Sequence, residues 1–132
     1  MTEPRPILSH LTLGVNDLER ACTFYDAVLG ELGITRGKRG KGFAGWGSSH
    51  AGDFFVTTPF DGSPATAGNG VSVSFLAPTR DAVDRFWRAA IAAGGVDEGG
   101  PGVRPHYHPN YYAAYVRDVD GNKIAAVCHA AA

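Results

Sequence analysis

The fold is decided by the stretch at residues 7–30, which reads ILSHLTLGVNDLERACTFYDAVLG. Side chains at residues 7–15 alternate in direction with the period of two that a half-buried strand requires. Asn16 is then a predicted helix N-cap, with Glu19 three residues later as its capping-box partner. Apolar residues follow at helical spacing until Gly33, which is predicted to end the helix. This stretch therefore predicts a strand that leads directly into an amphipathic helix.

The same pattern occurs a second time in the chain. Phe24 corresponds to Phe86 in this repeat, and Tyr25 corresponds to Trp87. Thr79 is the second predicted N-cap, with Asp81 in the first turn, where a carboxylate suits the helix dipole. Three shorter extended segments follow each helix, near 33–36, 42–47 and 53–58 in the first half, and near 97–105, 110–117 and 122–129 in the second.

Each half is thus predicted to be one βαβββ module. We expect a single domain over 1–132, with module one at 7–59, a Gly- and Pro-rich linker at 60–70 and module two at 71–129. The predicted fold class is α+β, with the two modules forming a partial barrel around a cleft and the helices outside. Strand parity places one set of side chains against the helices: Leu11, Leu13, Val73 and Phe75. The opposite set is expected to line the concave side: Leu8, His10, Thr12, Ser72 and Ser74.

Composition excludes several classes of function. The chain carries 12 Lys and Arg against 13 Asp and Glu, a formal charge of −1, so no overall basic field would attract nucleic acid. No apolar run is long enough to span a membrane, and residues 1–6 lack the apolar core of a signal peptide. We therefore expect a cytoplasmic protein. Cys22 and Cys128 are predicted to be small core residues, since two cysteines cannot form a disulfide scaffold.

One local basic run departs from the balanced charge of the chain. Residues 36–41 read RGKRGK. A solvated loop is the favoured interpretation, because charge runs usually serve solubility. The alternative is a lid that attracts an anionic substrate.

Three motifs resemble the vicinal oxygen chelate superfamily, which includes glyoxalase I, bleomycin-resistance proteins, fosfomycin-resistance proteins and extradiol dioxygenases. They are SHLTLGV at 9–15, FYDAVLG at 24–30 and VRDVDGNKI at 116–124. The resemblance covers about 7–129. It implies a small-molecule ligand in the cleft and a homodimer in which the modules complete each other's clefts. It does not choose between lyase, dioxygenase and drug-binding functions.

Enzymes of this family hold one divalent metal through His, Gln or Glu side chains on the first and last strands of each module. Carried over residue by residue, the resemblance leaves His10 as the sole matching ligand. The other three positions hold Val56, Ser72 and Ala125. The resemblance therefore implies a degenerate metal site and no assured cofactor, although Ni, Zn, Mn or Fe would suit an intact one.

The segment at 104–112, RPHYHPNYY, supplies the remaining candidates. His106 and His108 would point the same way from an extended segment, and His10 or His129 would have to supply a third ligand for a displaced metal site. With His10 and Tyr112 they are the candidate catalytic acids and bases. The expected substrate-binding residues are Trp46, Val56, Ser72, Ser74, Tyr111 and Ala125. Two hypotheses stay open: a metal-free binding protein, and a metal-dependent lyase or dioxygenase that uses the displaced histidines.

Overall fold

The structure is a computed structural model that describes residues 6–48 and 50–132. The prediction that residues 1–6 lack a signal peptide concerns mainly residues 1–5, which lie outside the described residues. In chain order the elements are β1 His10–Gly14, α1 Leu18–Gly30, β2 Arg36–Gly40, β3 Phe43–Trp46, β4 Asp53–Thr57, β5 Ser72–Leu76, α2 Arg80–Ala92, β6 Val96–Val103, β7 Tyr112–Arg117 and β8 Lys123–Cys128. No helix of the described residues is both long enough and apolar enough to cross a membrane.

The two halves have the same topology. Module one forms a sheet in the order β1-β4-β3-β2, and module two forms a sheet in the order β5-β8-β7-β6. In each sheet the first strand pairs in parallel with the last, and the remaining pairs are antiparallel. The predicted α+β fold of two βαβββ modules is therefore confirmed. The two sheets stay open and do not close into a barrel.

Each helix begins at a side chain that accepts a backbone N–H. Asp17, and not the predicted Asn16, caps α1 by accepting from the Arg20 N–H at 3.1 Å. Asn16 is engaged elsewhere, since its side-chain oxygen accepts from the Ala65 N–H at 2.7 Å. Both residue types cap well, so the sequence could not separate two adjacent candidates. Thr79 caps α2 as predicted, by accepting from the Ala82 N–H at 3.0 Å.

The basic run at 36–41 forms the edge strand β2, so the predicted solvated loop is wrong for most of it. Two of its arginines reach back to α1, where Arg36 pairs with Asp26 at 2.9 Å and Arg39 pairs with Glu19. Charged side chains on an edge strand also discourage pairing with other sheets. The run is therefore held against the fold by its arginines.

One apolar core joins the two modules. It lies between α1, α2 and the helix-facing sides of both sheets. The predicted parity is confirmed, because Leu13 and Val73 are buried and Leu11 and Phe75 pack against the core. The largest fully buried side chains are Trp46, Tyr25, Phe24 and Phe86. Both cysteines are buried free thiols.

A buried polar network also connects the modules. The Tyr25 hydroxyl of module one donates to Asp118 Oδ2 of module two at 2.5 Å. Asn122 Nδ2 donates to the same Oδ2 at 3.0 Å and to the Gly14 carbonyl at 3.1 Å. Burial first, and then the charge of Asp118, raise the pKa of Tyr25 well above its usual value. Asp118 lies at the start of the predicted β7–β8 hairpin turn, where Gly121 has a φ of +87°.

Candidate functional site

The concave side of the first sheet forms an open cavity of about 610 Å³, here named the module-one cavity. Residues lining it are Ser9, His10, Thr12, Gly37, Lys38, Phe43, Gly45, Gly47, Ser48, His50, Asp53, Phe55 and Thr57. Every one of these residues belongs to module one. Cavities of this size hold drug-sized organic ligands.

The floor of the cavity is aromatic, because β3 has a glycine, Gly45, where a side chain would otherwise occupy the space of the Phe55 ring. Gly45 is the cross-strand partner of Phe55, and a Cβ built on Gly45 would lie 2.6 Å from Phe55 Cδ2. The Phe55 ring therefore lies over Gly45, in space that a side chain would otherwise take. Phe43 lies next to it, with ring centroids 6.4 Å apart. The two rings, tilted 49° to each other, give the cavity an apolar aromatic base.

His10 stands beside this floor. Its ring meets Phe55 edge-on, with centroids 5.6 Å apart and an interplanar angle of 81°. His10 Nδ1 and Ser9 Oγ are 2.9 Å apart and share a hydrogen bond. That bond leaves Nε2 of the imidazole for a ligand, as donor or acceptor according to tautomer.

Asp53, at the start of β4, supplies the carboxylate of the cavity wall. It pairs across the sheet with His10. Its Oδ2 accepts from the His50 backbone N–H at 3.2 Å, and His50 has a left-handed φ of 58°. Gly47, with a φ of +93°, makes room for the same carboxylate, because a Cβ there would lie 2.6 Å from Asp53 Oδ1. The Asp53 carboxylate thus holds the turn that leads into β4.

The concave side of the second sheet carries a smaller depression of about 310 Å³, the module-two cavity. It is lined by Glu98, Gly99, Arg104, His106, Tyr107, Tyr115 and Lys123. The Arg104 guanidinium and the Lys123 ammonium each lie 5.5 Å from the Tyr115 ring centroid. Burial, together with the hydrogen bond to Tyr111, raises the pKa of Tyr115. Among the described residues, the two modules of one chain therefore line separate cavities.

His108 is not on an extended segment, because the chain from Arg104 to Tyr111 forms turns between β6 and β7. Its Nδ1 accepts from the Asn110 N–H at 3.1 Å, and its Nε2 lies 2.7 Å from His129 Nδ1. The Asn110 donor fixes the lone pair on Nδ1, so the ring proton of neutral His108 is on Nε2 and points at His129. A metal on Nε2 would need the reverse arrangement, with an N–H on Nδ1.

Among the described residues the predicted displaced metal site is not assembled: His129 lies beside His108, but no third ligand joins them. His10 lines the module-one cavity, whereas His106 and His108 belong to module two. Within 6–48 and 50–132, no group of three or more His, Cys, Asp or Glu side chains lies close enough to hold a metal ion.

The family's metal positions also lack donors. Val56 faces the core, so the concave residue of β4 next to Thr12 is Phe55, which has no donor atom. Ser72 lies on the exposed edge strand β5, and Ala125 on β8 is fully buried. Only His10 keeps a good ligand at these positions. With the Asp53 carboxylate that pairs beside it in β4, it makes fewer than the three protein ligands that a divalent metal site needs, and the described residues hold no such group of three.

Four predicted cavity residues occupy other places. Val56 and Trp46 are buried on the helix side, where Trp46 Nε1 donates to Asp26 at 3.0 Å. Tyr112 also turns to the helix side, and its hydroxyl donates to Asp84 at 2.6 Å. Ala125 lies on the concave side but is covered in a small cluster with Tyr111 and Tyr115. Strand parity explains the first three corrections, and aromatic packing explains the last.

The other predicted residues are accessible. Ser72 and Ser74 are exposed, and share a face with Lys123 and Ala125 through the β5–β8 register. Tyr111 is half-buried, and its hydroxyl lies 3.0 Å from that of Tyr115. These residues belong to the concave side of module two, as predicted for the serines.

Sequence reasoning missed most of the module-one cavity. Phe43, Asp53 and Phe55 line it, yet none was predicted as a site residue, and Lys38 was covered only by the alternative that the basic run at 36–41 attracts an anionic substrate. Two of them, Asp53 and Phe55, could have been found from the alternation of side chains along β4. This requires that β4 is paired in parallel with β1, with His10 opposite Asp53. That register depends on tertiary pairing and is not written in the strand itself.

The chain belongs to the Glyoxalase/Bleomycin resistance protein/Dioxygenase superfamily, whose family model matches residues 7–126. It is similar to a glyoxalase/bleomycin resistance protein from Albidiferax ferrireducens T118, at 46% identity over 92% of this chain and 98% of that one, with a TM-score of 0.84. It shares its fold with a lactoylglutathione lyase from Agrobacterium tumefaciens, at 21% identity over 96% of each chain and a TM-score of 0.64.

A third structure, a glyoxalase/bleomycin resistance protein/dioxygenase family enzyme from Burkholderia phytofirmans PsJN, matches at 21% identity and a TM-score of 0.72, over 92% of this chain and 98% of that one. No curated protein matches the chain. The comparisons therefore establish the superfamily and the fold.

Proposed function

We propose that this protein binds a small organic molecule in the module-one cavity, without a metal ion. The observation that carries this proposal is the cavity itself, about 610 Å³ with an aromatic floor and polar groups at its walls. Ligand sites in proteins have this composition, a mainly apolar surface with a few placed polar groups. The site serves binding, and His10 orients the ligand through Nε2.

Independence from metal follows from the donor set. The positions that hold the metal in related enzymes provide one imidazole here, with Phe55, Ser72 and Ala125 at the other three. In the second group, His108 Nδ1 accepts from the Asn110 N–H, and His108 Nε2 lies 2.7 Å from His129 Nδ1. Neither set offers three convergent ligands.

We further propose that two copies pair, so that module one of each chain faces module two of the other. Both cavities open to solvent in the single chain, and each is lined by one module. The sheets end at edge strands β1 and β5, beside exposed apolar side chains, among them Leu8 at 52% and Leu76 at 73% exposure. Exposed apolar groups beside open strand edges are typical of an interface.

Binding is tested by nuclear magnetic resonance with a fragment library of mixed charge and ring content. Supporting hits shift the amides of Gly45 and Phe55, and lose affinity in His10→Ala but not in the matched His106→Ala variant. A library without any fragment that shifts module-one cavity resonances would overturn the proposal.

Metal independence is tested on protein purified without a histidine tag. Elemental analysis is followed by calorimetric titration with nickel, zinc, manganese and iron(II). We expect substoichiometric metal and no His10-dependent heat. Near-stoichiometric metal that is lost in His10→Ala would refute the metal-free site.

Pairing is tested by sedimentation velocity at micromolar concentration. A dimer supports the arrangement of complementary modules. A monomer over the whole concentration range would contradict it.

A further inference from the structure

We infer that the ligand of the module-one cavity is a flat aromatic anion, such as an aromatic carboxylate, whose ring stacks on Phe55 beside the tilted ring of Phe43 and whose acid group meets the Lys38 ammonium. This inference rests on the proposed binding function and adds the chemical class of the ligand.

The shape of the floor favours a flat ring. Phe55 lies over Gly45, is only partly buried and lines the cavity, while Phe43 widens the aromatic surface beside it. A flat ligand ring stacked on Phe55 would meet Phe43 at a tilt, and both arrangements combine contact area with aromatic attraction. A branched aliphatic ligand would touch the same floor at fewer points.

The charge of the wall favours an anion. Lys38 lines the cavity, and no described carboxylate forms an ion pair with it. The arginines on either side, Arg36 and Arg39, are neutralised by α1 carboxylates. The cavity's own carboxylate, Asp53, accepts a backbone N–H from the His50 turn. Lys38 is therefore a cation of the cavity wall that forms no ion pair within the described residues and could pair with an anionic ligand.

The module-two cavity shows the same charge preference independently. Arg104 and Lys123 line it, and neither forms an ion pair with a described carboxylate. The Arg104 guanidinium donates to the carbonyls of Gly100 and Gly102, which fixes its position but leaves its charge uncompensated. Glu98, which also lines this cavity, pairs with Arg117 at 2.5 Å. The module-two cavity thus presents two cations without a carboxylate partner among the described residues, and the module-one cavity presents one, Lys38.

The test compares three naphthalene probes that differ in charge: naphthoate, naphthylmethanol and naphthylmethylammonium. Affinities are measured by calorimetry at pH 8 in low salt, where ordinary imidazoles are neutral. We expect naphthoate to bind at least about tenfold more tightly than the neutral alcohol, as charge-assisted hydrogen bonds allow. The cationic probe should bind most weakly.

Two variants locate the effect. Lys38→Gln should remove most of the naphthoate preference, whereas the matched Lys41→Gln, in the β2–β3 turn outside the cavity lining, should keep it. If the neutral or the cationic probe bound as tightly as naphthoate, the inference that the ligand is an anion would be wrong. If no probe bound, the inference that the ligand is aromatic would be wrong. In either case, fragments that still shift Gly45 would leave the binding function standing, so the two failures are distinguishable.

Discussion

Replacing Tyr25 by Phe should destabilise the protein by about 1.5–3 kcal/mol, the usual effect of losing a hydrogen bond to a charged group. The hydroxyl is fully buried and lies 2.5 Å from Asp118 Oδ2. Its removal leaves that oxygen with Asn122 Nδ2 as a remaining donor, so part of the carboxylate's hydrogen bonding survives. The free energy of unfolding should therefore fall by less than it does when a buried charge loses all of its hydrogen-bond partners.

The assay is urea unfolding followed by tryptophan fluorescence, since Trp46 packs 5.7 Å from the Tyr25 ring. The urea concentration at the unfolding midpoint should fall while the m-value stays constant. The substitution removes one hydrogen bond but does not change the surface area that unfolding exposes. For a domain of this size, the melting temperature should fall by about 5–10 °C.

Tyr107→Phe is the matched control, because Tyr107 is 62% exposed. It should change stability by less than about 0.5 kcal/mol. A Tyr25→Phe loss as small as the control's would refute the reasoning, since the inter-module hydrogen bond would then contribute no net stability.

Three further predictions follow from buried or crowded side chains. Because folding raises the pKa of Tyr25, the stability that its protonated hydroxyl contributes is complete below about pH 10 and is lost as the pH rises further. The free energy of unfolding should therefore fall more steeply with alkaline pH in wild type than in Tyr25→Phe. Gly45→Ala should push the Phe55 ring into the cavity and weaken naphthoate binding by about tenfold, at a stability cost of about 1–3 kcal/mol; Gly30→Ala, with open space around it, is the calorimetric control. Trp46→Phe should lower the free energy of unfolding by about 1–3 kcal/mol in urea titrations, with naphthoate affinity unchanged, because the indole is buried on the helix side.

The architecture was predictable because it depends on local and periodic signals. Two strand-helix repeats, the Thr79 cap and the β7–β8 hairpin all leave marks within a few neighbouring residues. The motifs at 9–15, 24–30 and 116–124 then resembled one superfamily, and the match over 7–126 confirms that family.

The candidate site was predicted only in part. His10 lies on the concave side as predicted, and His106 lines the module-two cavity from a turn, whereas Val56, Trp46 and Tyr112 face the helices. A strand of two alternating faces gives no local mark of which face is concave when both carry aromatic or small residues. The cytoplasmic location stays a prediction.

The sequence by itself determined the repeat and the α+β class, because both depend on residue type and spacing. Tertiary structure alone decided that Phe55 lies over Gly45 and that Lys38 meets the cavity while its neighbouring arginines do not. It also decided that the two concave faces form separate cavities within one chain. These outcomes depend on strand register and on which side of each sheet the helices cover, and both are settled only when distant segments pack together.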